Sequence, residues 1–123
     1  METRRKASNL MLKEIDITSG MVKRTKFPPE RIERDIGVAV RFLSHWRGVK
    51  RIWLFGSAAK GAVLDWRSDL DFAVEGMPAE DQARAWAELD EQLTLPVDLV
   101  RWETANAVLR DEVTRWGKLV YEA

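Results

Sequence analysis

The chain has 123 residues, enough for one domain with a modest hydrophobic core, and its 20 basic and 20 acidic residues cancel. That balance removes the strong field with which a protein attracts nucleic acid or a membrane surface, and the lack of cysteine removes disulfides and thiolate metal sites. No apolar run nears the ~20 residues of a membrane span and the first residues lack a signal-peptide core, so the expected location is cytoplasmic.

Residues 1–27 show no clean period, and within 1–29 seven Lys/Arg oppose three Asp/Glu. They read as a basic, mobile arm with a weak helix or strand around 10–17, with Met11 and Met21 as alternative starts inside it. The domain proper is expected over 28–123. Pro28-Pro29 opens a helix in which Ile32, Ile36, Val40, Leu43 and Trp46 form an apolar stripe, ended by Gly48. Residues 49–55 form the first predicted strand, and a loop runs from Gly56 to Arg67. In 69–74, Leu70, Phe72 and Val74 alternate with Asp69, Asp71 and Ala73, giving one apolar and one functional face. Gly76 and Pro78 lead into a second helix, with Ala83, Trp86, Leu89 or Asp90, and Leu93 at steps of three and four. Pro96 opens a third strand, 97–102, containing Asp98. Thr104 is the expected N-cap of a third helix through Trp116, with Ala105, Val108, Leu109 and Val113 inward and Gly117 as its stop. Residues 119–121 suggest a short last strand. The order implies an α+β fold, a small mixed sheet with helices packed on one face. Six tryptophans are many for this length, and some are expected to line a pocket or a partner interface.

The chemistry concentrates in two places. Asp69 and Asp71 are two apart on one strand, so they point the same way, about 6–7 Å apart. Such a pair can be an ordinary solvated strand face, or a divalent-metal site in which a cation offsets the repulsion. Asp98 favours the metal site, because it interrupts an apolar strand that would bring a third carboxylate in if it neighboured the second. Mg²⁺ suits carboxylates completed by water and phosphate, and two such ions about 3.5–4 Å apart can serve phosphoryl transfer. Zinc is disfavoured, since His45 is the sole histidine, and His45 reads as a surface or packing residue. Gly56-Ser57 is an ordinary turn pair, but directly after a strand it also suits phosphate: Gly lets backbone approach closely and the Ser57 hydroxyl can donate. Lys60 offers a point charge to the same phosphates, or is a solvated loop lysine; Asp65 and Arg67 read as loop-solvating.

Gly56-Ser57-Ala58-Ala59-Lys60-Gly61, then Ser68-Asp69-Leu70-Asp71-Phe72-Ala73-Val74, then Val97-Asp98-Leu99-Val100, resembles the polymerase-beta-type nucleotidyltransferase superfamily. Within it, the small size and motif wording resemble the minimal nucleotidyltransferases, or MNT proteins. The resemblance covers roughly residues 30–121. It implies that Asp69 and Asp71 ligate Mg²⁺ carrying a nucleotide triphosphate, and that Asp98 completes the metal site and helps deprotonate the attacking hydroxyl. It further implies that Gly56 and Ser57 bind the β/γ-phosphates and that Ser68 sets the lead-in to the catalytic strand. Members more often have Arg at the position of Lys60, which keeps the charge but loses bidentate contact. MNT proteins commonly act as antitoxins of a HEPN-domain RNase toxin, moving AMP from ATP onto a toxin tyrosine. The resemblance thus implies ATP as substrate, a HEPN toxin as partner in a hetero-oligomer, and no direct contact with nucleic acid or membrane. The alternative is a non-catalytic binding module that silences the toxin by occlusion.

Overall fold

The structure, a computed structural model, describes residues 26–65 and 67–123. Most of the expected basic arm, residues 1–25, lies outside the described residues. Its last residue, Phe27, is buried in the core, and the Phe27 N–H donates to the Leu64 carbonyl at 2.8 Å.

Helix α1 spans Pro29–Ser44. Proline at its first position has no N–H to leave unsatisfied and a φ already suited to a helix. Ala39 and Leu43 are fully buried, with Ile32 and Ile36 packed beside them, so the core-facing stripe runs close to the expected one. The stripe also holds Asp35, fully buried, whose Oδ2 accepts from the Thr94 N–H, the Thr94 hydroxyl and the Leu95 N–H at 2.8–2.9 Å. That carboxylate bolts α1 to a loop 60 residues away in sequence. His45 caps the helix and its Nδ1 lies 2.7 Å from the Arg41 carbonyl, in keeping with a surface role.

Four strands, β1 (Arg51–Phe55), β2 (Leu70–Glu75), β3 (Val97–Arg101) and β4 (Lys118–Glu122), form one sheet in the order β3-β2-β1-β4. β1 runs antiparallel to β2 and β4, whereas β2 and β3 are parallel, joined through helix α2 (Ala79–Gln92). Ile52, Leu54, Leu70, Phe72, Val74, Val97 and Leu99 alternate onto one face and bury against Ala39 and Leu43 of α1 and Ala85 and Leu89 of α2. At the far end of the sheet Arg51 bonds Glu75 at 2.7 Å and Glu122 at 3.0 Å, and these carboxylates, Glu75 foremost, raise its pKa further. The turns leading into β1 and out of β2 cross tightly there: a Cβ on Gly76 (φ +101°) would stand 1.9 Å from the Gly48 carbonyl oxygen.

Helix α3 (Ala107–Trp116) belongs to the opposite face of the sheet. Its Val113 and Leu109 pack with Trp53, Phe55, Ala73, Val100 and Trp102 in a second, smaller cluster. Among the described helices, α1 and α2 share one face and α3 does not, whereas all the helices were expected on one face. The difference arises because Trp53, Phe55 and Ala73 give the second face enough apolar area to need a cover. Thr104 is not the cap. Residues Trp102–Thr104 form a 3₁₀ turn, and the Asn106 side chain accepts from the Leu109 N–H at 2.8 Å. That start turns Val108 outward, 79% exposed, where the periodicity had placed it inward. In α2 the inward alanine is Ala85 rather than Ala83.

Candidate active site

The end of β1 sets the first wall of the site. Phe55 pairs with Asp71, and the next residue, Gly56, adopts φ +76°, a region that costs any residue with a Cβ. A Cβ on Gly56 would lie 2.2 Å from Asp71 Oδ2, so the Asp71 carboxylate occupies the space a side chain would need. The chain then winds into a helical turn. The Lys60 N–H reaches the Gly56 and Ser57 carbonyls at 3.2 Å, and the Ala62 N–H reaches Ser57 at 3.1 Å. Buried Ala59 anchors the turn while Ser57 stays exposed. Leading N–H groups of such a turn have no acceptor within it, which suits them to an anion.

The second wall comes from β2 and β3. Asp71 and Asp98 are register partners on these parallel strands, about 4.8 Å apart across the sheet. The Leu70 N–H donates to the Pro96 carbonyl at 2.9 Å, which fixes both strand starts beside the two acids. Asp69 stands one residue ahead of β2, and Ser68 precedes it. The Ser68 hydroxyl accepts from the Asp65 N–H at 3.1 Å and the Ser68 N–H returns to the Asp65 carbonyl at 2.8 Å, closing a turn into the strand. Asp65 does more than solvate the loop, since its Oδ1 also accepts the Arg67 N–H and its backbone bridges to Lys26.

Lys60 extends toward α3, where its Nζ lies 3.7 Å from Glu112 Oε2. Trp116, one helical turn beyond Glu112, lines a shallow cavity with Ala59 and Lys60 and is 56% exposed. Neither Glu112 nor Trp116 was singled out from the sequence. Nor was Asp35, although a carboxylate at a core position of a helical stripe was a readable signal.

Gly56, Ser57, Asp71 and Asp98 thus share one corner of the sheet, with Asp69 at the threshold of β2. Among the described residues no three His, Cys, Asp or Glu side chains are already gathered closely enough to hold a metal ion. Like charges stay apart unless a cation offsets them. The donor set is nevertheless all carboxylate oxygen, the chemistry that suits Mg²⁺, and its two in-register members are held on adjacent strands.

The family model for the polymerase beta nucleotidyltransferase domain matches residues 39–123, which contain this whole corner. The chain belongs to the polymerase-beta nucleotidyltransferase family. Solved structures point to its MNT branch. A toxin–antitoxin crystallised with AMP-PNP has a chain 28% identical, at TM-score 0.61, over 74% of this chain and 73% of that one. The MntA–HepT toxin–antitoxin has one 26% identical, at TM-score 0.54, over 74% and 70%. A chain in the complex of a tri-AMPylated Shewanella oneidensis HEPN toxin with MNT antitoxin shares the fold at 22% identity and TM-score 0.59, over 74% and 72%. No curated protein matches the chain. No helix among the described residues is long and apolar enough to cross a membrane.

Proposed function

We propose that this chain is a Mg²⁺-dependent adenylyltransferase of the MNT type, an antitoxin that moves AMP from ATP to a tyrosine hydroxyl of a HEPN toxin. The observation that carries the reading is Asp71, in register with Asp98 on one side and against Gly56 on the other. Family membership supplies the reaction class, and the 28%-identical relative crystallised with AMP-PNP supports an adenine nucleotide.

Asp69, Asp71 and Asp98 would hold the metal, which when bound offsets phosphate charge and makes the α-phosphorus easier to attack. Gly56 admits the triphosphate close to the backbone, and the exposed Ser57 hydroxyl donates to its β/γ oxygens. Asp98 takes the proton of the attacking hydroxyl. The bond from the acceptor oxygen to the α-phosphorus forms as the bond to the pyrophosphate oxygen breaks, and pyrophosphate leaves. Lys60 exchanges Glu112 for phosphate, and Ser68 keeps the lead-in to β2 in shape. On the toxin, the added anionic group would repel the phosphates of substrate RNA.

One observation favours occlusion as a second reading: Val108, Trp116 and Leu119, on α3 and β4, are 79%, 56% and 49% exposed. Replacing both Asp69 and Asp71 with Asn separates the two readings, since shape is kept and charge is lost. Catalysis predicts that a cell carrying the toxin encoded beside this chain loses protection; protection that persists would sink the catalytic account in favour of occlusion.

A further inference from the structure

Among the described residues β3, which carries Asp98, is an outer strand of the sheet, with β2 as its ladder neighbour. An outer strand has a row of backbone groups without a ladder partner and is the part of a sheet most free to fray. Here the open side is closed by side chains of α2. The Trp86 indole N–H donates to the Val97 carbonyl at 2.8 Å, and the Gln82 side-chain amide donates to the Leu99 carbonyl at 2.9 Å. These carbonyls belong to the residues immediately before and after Asp98. Gln82 and Trp86 are four apart and so project from one face of α2, matching the two-residue spacing of the carbonyls they meet. Leu89 and Ala85 fix α2 in the core, and the Arg101 Nε–H bonds the Met77 carbonyl at 2.8 Å, tying the end of β3 to the segment before α2.

We infer that Gln82 and Trp86 are positioning residues for Asp98: by clamping the carbonyls on both sides of it, they fix where its carboxylate meets a divalent cation. This inference rests on the metal-binding role proposed for Asp98. The two donors touch neither nucleotide nor metal in this account and act only through the backbone of β3. Both are partly buried, so each donor removed leaves a carbonyl at the strand edge with less than its full complement. Outer partners that orient metal ligands typically contribute about 10–100-fold to metal affinity or activity.

The test titrates the full chain with Mn²⁺ in the presence of AMP-PNP and follows free Mn²⁺ by electron paramagnetic resonance. Wild type is compared with Asp98→Asn and with Gln82→Met plus Trp86→Phe, which remove both donors while keeping a side chain of similar length at 82 and an aromatic ring at 86. A Leu93→Ala variant serves as a control, losing core packing at the end of α2 without touching either hydrogen bond. The inference predicts that the donor-free variant binds Mn²⁺ about tenfold more weakly and that Leu93→Ala binds as wild type does. If the double change compromises folding, Gln82→Met alone is predicted to shift the Mn²⁺ curve in the same direction, by a smaller factor. Tight Mn²⁺ binding by the donor-free variant, or an equal loss in Leu93→Ala, would overturn the inference while leaving the role of Asp98 intact. Undiminished Mn²⁺ binding by Asp98→Asn would instead remove the metal role itself, and the inference with it.

Discussion

Replacing Gly56 with Ala should damage activity far more than stability. The new methyl group would start 2.2 Å from Asp71 Oδ2, and ordinary contact needs more than 3 Å, so the carboxylate must retreat by roughly 1 Å. Because the opposing atom is the end of a side chain, retreat is possible by rotation about the Asp71 side-chain bonds. The fold then bears mainly the cost of Ala at φ +76°, about 1–2 kcal/mol. A misplacement of that size at a reacting centre lowers rate by about 100-fold. The assay pairs urea denaturation with single-turnover AMP transfer at saturating ATP. Gly76→Ala is the contrast, since its Cβ meets the Gly48 carbonyl of the backbone, which cannot rotate away. It should lose more stability, with normal transfer in the fraction that stays folded. Transfer by Gly56→Ala within about threefold of wild type would refute the reasoning, because Asp71 would then tolerate the displacement.

Asp35→Ala strands three donors on the loop before β3 and should cost roughly 3 kcal/mol in urea denaturation, without changing ATP affinity in the folded fraction. Lys60→Ala should raise KM for ATP about tenfold with a smaller effect on kcat, as expected when a phosphate contact common to ground and transition states is lost. Lys60→Arg should keep wild-type KM or lower it, because the guanidinium adds bidentate contact to the same charge. Chelation by EDTA should abolish transfer, and excess Mg²⁺ should restore it.

Much of the sheet was legible because its strands are short, well-punctuated apolar stretches, alternating in 69–74: 49–55, 69–74 and 97–102 against Arg51–Phe55, Leu70–Glu75 and Val97–Arg101. The short run at the C-terminal end also became a strand, completed by pairing with β1, a contact no local pattern encodes. The acids were readable as residue types, whereas the pairing of Asp71 with Asp98 depended on β3 lying parallel beside β2. The collision space between Gly56 and Asp71 was likewise invisible, because it depends on the turn after β1 closing over a side chain of β2. Periodicity failed at α3 for a local reason. The 3₁₀ turn at Trp102–Thr104 moved the cap to Asn106 and rotated Val108 into solvent. The tryptophans divided between roles. Trp53 and Trp102 stack with centroids 4.9 Å apart, Trp86 clamps β3, Trp46 lines a groove between α1 and α2, and Trp116 faces outward. Composition announced a surplus of indoles; only packing could allot them.

The central claim is that this corner of the sheet transfers AMP to a protein hydroxyl. Its most direct test takes a HEPN-domain protein as candidate partner and measures its intact mass after incubation with this chain, ATP and Mg²⁺. The account predicts AMP-sized increments on the toxin, absent when Asp71 or Asp98 is Asn. A silenced toxin of unchanged mass would contradict it.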